Sequence, residues 1–222
     1  MVHFAGGECE FVCQMEDVRD VYHRPCAPQR PLVCLDEASR PLIGEVVPPL
    51  PTTPGQPARF DHAYVRNGTA NLFMVFEPLL GWRVVQVTER RTAKDFAAVV
   101  RWLVEEVPEE AEKVVLVCDN LNTHKPASWY EAFPPEQARR LAECIEWHYT
   151  PKHGSWLNMG EIERRVLQRQ ALDRRIEPQE QMARITRVWE ADRNERGVEV
   201  KWRFTTADAR IKLHKLYPSL QE

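Results

Sequence analysis

Two kinds of hydrophobic pattern divide the chain into predicted helices and strands. Phe11, Met15, Val18 and Tyr22 recur every three or four residues, which predicts a helix that ends before Pro25. Short runs rich in β-branched and aromatic residues, separated by turn residues, predict strands instead. These strands are predicted at Leu32–Asp36, Tyr64–Phe76, Arg83–Val87, Val114–Cys118 and Ile145–Tyr149.

Six prolines between Pro41 and Pro57 interrupt the pattern and predict a long irregular excursion between the first two strands, with no regular core structure. Helical periodicity returns after Thr92, an expected N-cap with Asp95 three residues later, and this helix is predicted to end before Pro108. Further helices are predicted at Pro134–Leu141, Trp156–Ala171, Pro178–Arg193 and Thr205–Tyr217.

The order of these elements predicts an α/β fold class. Three antiparallel strands come first and βα units follow, so we expect a mixed five-stranded sheet with helices on both faces. In that sheet the first strand is central and the fourth lies beside it. Asp36 and Asp119, which follow those two strands, are therefore predicted to be neighbours.

Three carboxylates carry the candidate chemistry. Asp36 and Asp119 end buried apolar runs, where an unneutralised acid costs desolvation energy, and Glu161 lies early in a helical pattern. Carboxylate oxygens are the ligands that hard divalent cations such as Mg²⁺ prefer, and two such ions can support in-line phosphoryl displacement. Taken singly, each acid could instead form a turn or cap a helix.

Composition sets the outer bounds. With 222 residues, 43% of them hydrophobic, the chain can bury one good core. The N-terminal residues show no basic and apolar leader, and no window is long enough to span a bilayer, so a soluble, cytoplasmic protein is expected. The six cysteines are interpreted as reduced thiols, since most of them lie in apolar runs, and structural zinc at Cys9 and Cys13 is disfavoured.

Charge is distributed unevenly although the net charge is only −3. Between Arg164 and Lys215 there are fourteen Lys or Arg residues and eight Asp or Glu residues. A basic C-terminal third can follow the phosphates of a nucleic acid, while a solvated helix face with internal salt bridges would show the same composition.

Three sequence blocks carry a family resemblance. Val33–Glu37, Val117–Lys125 and Thr150–Glu163 resemble the signature blocks of the DDE transposases of bacterial insertion sequences, in the Tc/mariner superfamily. The tail Trp202–Lys212 is similar to the C-terminal segment of that family, so the resemblance covers nearly the whole chain.

The resemblance implies a ribonuclease H-like fold and metal-dependent DNA cleavage and strand transfer. It implies that Asp36, Asp119 and Glu161 are the catalytic acids and hold two Mg²⁺ ions, for which Mn²⁺ can substitute. Glu163 competes for the third role, but about 200° of helix rotation separates it from Glu161, so only one of the two can face the metals. We expect Asn120, His124 and Asn158 to support the acids, although for Asn120 and His124 a loop capping network is equally open.

DNA is the implied partner, mostly through its phosphate backbone, and a homodimer is expected of an enzyme that joins two DNA ends. The residues expected to contact DNA are Lys152, His153, Trp156, Arg164, Arg165 and Arg169, although for Trp156 a role in packing the core or a hairpin is the safer prediction. Nothing before Phe11 could hold the helix-turn-helix modules of full transposases.

The chain is predicted to contain an N-terminal helical lead-in at 1–30, a catalytic core at 31–172 and a basic helical extension at 173–222 packed on that core. Two alternatives share this organisation. One is another ribonuclease H-like nuclease, and the other is a decayed or repurposed module that binds DNA or a protein without catalysis.

Overall fold

A computed structural model of the chain describes residues 8–59, 61–106, 111–121 and 124–217. In the described part, five strands form one sheet: β1 Leu32–Glu45, β2 Tyr64–Glu77, β3 Trp82–Thr88, β4 Val114–Asp119 and β5 Ile145–Thr150. The helices are α1 Glu8–Tyr22, α2 Ala93–Glu106, α3 Ala127–Ala132, α4 Pro135–Cys144, α5 Met159–Gln170, α6 Gln179–Glu195 and α7 Thr206–Lys212. Two short 3₁₀ turns add Ser155–Leu157 and His214–Leu216.

The strand order is β3-β2-β1-β4-β5. The first three strands are antiparallel, and β4 and β5 extend the sheet in parallel on the other side of β1. This confirms the predicted mixed five-stranded sheet with β1 at its centre and β4 beside it.

Helices cover both faces of the sheet, as predicted. One face carries α1, α5, α6 and α7 over a core that includes Cys34, Met74 and Val117. The opposite face carries α2, α3 and α4 over a core that includes Leu35 and Leu116. Successive residues of β1 and β4 alternate between these two cores because strand side chains point to opposite faces.

The prediction that the first strand stops at Asp36 is wrong. β1 continues to Glu45 and pairs with β2 over its whole distal half, whereas its pairing with β4 ends at Cys34. Pro41 is tolerated because, among the described residues, no strand pairs with the side of β1 opposite β2 at that point, and the register shifts between Pro41 and Ile43. Residues 46–63 then form the irregular excursion that the prolines predicted, apart from residue 60, which lies outside the description.

The N-cap predicted at Thr92 forms a capping box with Asp95: the Thr92 backbone N–H donates to Asp95 Oδ2 at 2.7 Å, and the Asp95 backbone N–H donates to Thr92 Oγ1 at 3.4 Å. The predicted end of that helix, Val107 to Pro108, lies outside the described residues. The helix predicted from Trp156 begins at Met159 instead, because Asn158 is its N-cap. The last predicted helix is also shorter, since α7 ends at Lys212.

The C-terminal helices pack on the sheet and on α1. Asn194 of α6 accepts a hydrogen bond from the backbone N–H of Arg83 at 2.9 Å, and Arg210 of α7 forms an ion pair with Glu16 at 2.8 Å. Residues of all three predicted segments therefore share one hydrophobic core. In the described part of the chain, no helix has the length and apolarity that crossing a membrane requires.

Candidate active site

The register of β1 and β4 places Asp36 beside Asp119. The paired residues run Leu32 with Val115 and Cys34 with Val117, so the two acids lie two residues further along neighbouring parallel strands. Each has the same parity as the residue two places before it, which puts both acids on the face covered by α5. Asp36 is buried and Asp119 is about one-third exposed.

The N-terminus of α5 brings Glu161 to the same edge. The side chain of Asn158 accepts from the backbone N–H of Gly160 at 2.9 Å, and its amide donates to the carbonyl of Leu35 at 3.0 Å. A β-carbon at Gly160 would lie 3.2 Å from the backbone nitrogen of Asp36, so a side chain there would push α5 and β1 apart by a few tenths of an ångström. Asn158 thus fixes the helix against β1 one residue before the first acid.

A buried hydroxyl of α1 supports the same junction. Tyr22 Oη donates to the carbonyl of Leu157 at 2.6 Å and accepts from the backbone N–H of Met159 at 3.2 Å. Burial raises the pKa of this phenol well above its ordinary value, so Tyr22 remains a neutral donor. The start of α5 is therefore held from two sides.

Electrostatics link the three acids. Burial raises the pKa of Asp36 to about 6, although the guanidinium of Arg164 opposes the increase. The negative charges of Glu161 and Asp119 also raise this pKa, because like charges nearby disfavour ionisation. The site is thus a cluster of acids to which a cation would bind favourably.

Each acid contacts a basic side chain. Arg164 Nε donates to Asp36 Oδ2, Arg165 donates to Glu161 Oε1 at 2.5 Å, and His124 Nδ1 contacts Asp119 Oδ1. With the side chains arranged in this way, the described residues contain no group of three or more His, Cys, Asp or Glu side chains close enough to hold a metal ion.

The donor chemistry nevertheless fits a hard divalent cation, because all three acids offer carboxylate oxygens at one edge of the sheet. The side chain of Arg165 is flexible and 64% exposed, so its guanidinium can leave Glu161. The side chain of Arg164 is only 16% exposed and therefore has less freedom to move. A metal that takes Asp36 Oδ2 as a ligand therefore requires Arg164 to move.

Glu163, the competing acid, has a different environment. Its carboxylate lies 2.9 Å from Arg83 Nε and 2.7 Å from Arg193 Nε, with only 2% of the side chain exposed. Arg83 is itself fully buried and also donates to the carbonyl of Val198 at 2.6 Å. Glu163 thus joins α5 to β3 and α6 and faces away from Asp36.

The predicted DNA-contacting residues fall into two groups. Arg164 and Arg165 lie on the acids, as described above. Lys152, His153, Trp156 and Arg169 are exposed, with Trp156 41% exposed and His153 in the left-handed region at φ 66°. Asn120 is also exposed, at the tip of β4.

Sequence reasoning missed Glu37 as a candidate site residue. Its side chain is buried on the face opposite Asp36, where His124 Nε2 lies 3.3 Å from Glu37 Oε2. Burial alone would lower the pKa of His124, but Asp119, Cys118 and Glu37 outweigh burial and raise the pKa to about 12. The only sequence signal for Glu37 was its place directly after Asp36 in the first block.

The sheet order, the helices on both faces and the acids of β1, β4 and α5 define a ribonuclease H-like fold. The family profile described as DDE superfamily endonuclease matches residues 31–183, and the chain belongs to this family. Endonucleases of this family depend on divalent metal ions. Recognition of the family from the sequence blocks is thus confirmed, while none of the curated proteins matches the chain.

Solved structures of the Mos1 mariner transposase share the fold. The paired-end complex with Mn matches with a TM-score of 0.59 at 17% identity over 89% of this chain and 60% of that chain. The strand transfer complex matches with a TM-score of 0.60 at 13% identity, over 100% of this chain and 65% of that chain. A pre-cleavage transpososome matches with a TM-score of 0.57 at 15% identity, over 100% of this chain and 66% of that chain. The chain therefore spans less than two thirds of each of these Mos1 chains.

Proposed function

We propose that this chain is a transposase catalytic domain that cleaves DNA and transfers strands by in-line phosphoryl displacement. The observation that carries the proposal is the β1–β4 register, which sets Asp36 beside Asp119 on the face where α5 presents Glu161. The family supports it, and so do the Mos1 paired-end and strand transfer complexes that share this fold.

Asp36, Asp119 and Glu161 are the residues that would hold two Mg²⁺ ions, with Mn²⁺ as a substitute. Such ions supply activation of the attacking oxygen and stabilisation of the leaving oxygen. The protein itself contributes alignment: Asn158 and Tyr22 fix the start of α5, and burial keeps water from competing for the carboxylate of Asp36.

DNA would approach over the exposed basic residues around the acids. Lys152 and Arg169 are available for phosphates, and Trp156 offers an exposed ring on which a base can stack. Arg164 and Arg165 would contact the backbone once they leave Asp36 and Glu161. Such contacts position DNA without reading sequence, so weak, salt-sensitive binding is expected of this chain.

Plasmid nicking tests the proposal directly. Supercoiled plasmid is incubated with Mg²⁺ or Mn²⁺ and with the wild-type chain, Asp119→Ala or the control Asp192→Ala, whose carboxylate pairs with Arg196 at the C-cap of α6. Nicking is expected from the wild type and the control and not from Asp119→Ala. Equal nicking by wild type and Asp119→Ala would rule out the catalytic assignment.

A homodimer belongs to the same proposal because joining two DNA ends requires two active sites. Light scattering of the chain mixed with short duplex DNA would show two protein copies per complex. A complex with a single copy under nicking conditions would contradict this part of the proposal.

A further inference from the structure

A second group of charged residues lies behind the candidate active site, on the opposite face of the sheet. Asp36 and Glu37 are successive residues of β1, so their side chains point to opposite faces. Glu37 is only 4% exposed and His124 only 1%. Such buried charged groups require partners, since an isolated buried charge is costly.

A continuous series of contacts leads from Arg91 at the surface through Glu37 and His124 to Asp119. Arg91 lies 3.2 Å from Glu37 Oε1, and Glu37 Oε2 lies 3.3 Å from His124 Nε2. The other imidazole nitrogen, Nδ1, lies 3.1 Å from the main-chain oxygen of Asp119 and also contacts its carboxylate. Both ring nitrogens of His124 are therefore in contact with acidic residues.

Packing holds the imidazole ring in this position. Phe96 of α2 stacks on it, with ring centroids 4.2 Å apart and an angle of 22° between the planes. The hydroxyl of Tyr149 donates to the main-chain carbonyl of His124 at 2.8 Å, and the His124 backbone N–H donates to Leu121 at 3.0 Å. His124 thus has little freedom to leave.

Asp119, in contrast, has little support of its own. It is the last residue of β4, about one-third of its side chain is exposed, and the exposed Asn120 follows it. Without a fixed neighbour, its carboxylate would sample several rotamers, of which only some point toward Asp36.

We propose that Glu37 is a positioning residue: it fixes the imidazole of His124, which in turn fixes the carboxylate of Asp119 toward Asp36 and Glu161. The inference rests on the proposed metal-dependent function and assigns Glu37 a role in it. Residues that orient metal ligands in this way change metal affinity about 10- to 100-fold when removed.

The opposite face explains why Glu37 acts through His124 and not as a ligand. Its carboxylate lies in the core that contains Phe73 and Phe96, away from the acids of the other face. Only His124, beyond the end of β4, contacts both Glu37 and Asp119 within the described residues.

The test measures Mn²⁺ affinity of the full chain without DNA, by the electron paramagnetic resonance signal of free Mn²⁺. Glu37→Leu keeps most of the volume but removes the acceptor, and we expect it to weaken Mn²⁺ binding about 10-fold or more. Glu37→Gln keeps an amide oxygen that can accept from His124, so it should restore affinity to within about threefold of the wild type. If the leucine variant does not fold, Glu37→Ala provides the same comparison.

The matched control is Glu45→Leu, the same substitution on the same strand, where the partner is Arg175. It should leave Mn²⁺ affinity within about twofold of the wild type, because no metal ligand depends on it. Unchanged affinity in Glu37→Leu would overturn the proposal. Equal weakening by Glu37→Gln and Glu37→Leu would also overturn it, because charge and not position would then be the cause.

One further variant separates this inference from the proposed function. Asp36→Asn should abolish the same Mn²⁺ binding. If it does not, the metal site and with it the proposed function are wrong. If it does while Glu37→Leu binds Mn²⁺ normally, only the positioning role is wrong.

Discussion

Two glutamates that lie two residues apart on opposite sides of α5 should respond to the same substitution in opposite ways. Glu163→Gln removes the charge that lies 2.9 Å from Arg83 and 2.7 Å from Arg193, where Arg83 is fully buried. Removing one partner of a buried ion pair costs about 3–5 kcal/mol, because an uncompensated charge remains. For a chain of this length, that loss lowers Tm by about 10 °C.

Glu161→Gln should barely affect the fold. Glu161 pairs with Arg165, which is 64% exposed, and such pairs contribute about 0–1 kcal/mol to stability. Its loss should instead appear in catalysis. Several kcal/mol of transition-state stabilisation by the metals it helps to hold correspond to a decrease of about 10²-fold or more in nicking rate.

Urea unfolding followed by circular dichroism, together with plasmid nicking at a temperature where both variants are folded, measures the two effects. The double variant Glu163→Gln with Arg83→Met should lose less than the sum of the single variants, since both remove the same pair. The reasoning would be refuted if folded Glu163→Gln did not nick, or if Glu161→Gln lost more than about 2 kcal/mol of stability.

Three further outcomes follow from the structure. Asn158→Ala removes the N-cap of α5 and its bond to Leu35, so urea unfolding should show a loss of about 1–2 kcal/mol and nicking should fall further than stability. Burial raises the pKa of Glu77 to about 7, so the wild-type chain should lose stability as pH rises from 4.5 through 7. Glu77→Gln should then be as stable as the wild type at pH 4 and about 1 kcal/mol more stable at pH 8, a figure reduced for the partial exposure of this side chain. Equal stability of the two proteins at pH 8 would contradict this. Arg169→Gln should lower the salt slope of DNA binding by about one, measured by fluorescence anisotropy, if this exposed residue contacts phosphate.

The sequence predicted those parts of the fold that depend on local pattern. Val114–Cys118 was recognisable because a parallel strand buried on both faces is apolar throughout, and Thr92 with Asp95 because a capping box has fixed spacing. Pro41 led to the wrong end for the first strand, because a proline is tolerated where a strand has no neighbour on one side. The helix α3 went unpredicted because six residues are too few to show a period.

The candidate site was predictable in its acids and in Asn158 and His124, which lie in the same sequence blocks and contact the elements that carry those acids. Asp36 and Asp119 follow apolar runs, which single-sequence reasoning can detect. The partners of Glu163 could not be predicted, since Arg83 lies on a distant strand and one arginine among many has no distinguishing pattern. Glu37 was obscured for a different reason: its place beside Asp36 becomes informative only once strand alternation assigns the two residues to opposite faces.

That alternation makes the site depend on a short piece of sheet. Described pairing between β1 and β4 covers only Leu32 to Cys34 on β1, yet it sets both the approach of Asp36 to Asp119 and the contact of Glu37 with His124. A slip of one residue in this pairing would exchange the faces of Asp36 and Glu37. Asp36 would then lie on the face of His124, and Glu37 on the face of the other two acids. The two cores that enclose these strands therefore do more than stabilise the fold: by holding this register, they determine which carboxylates meet.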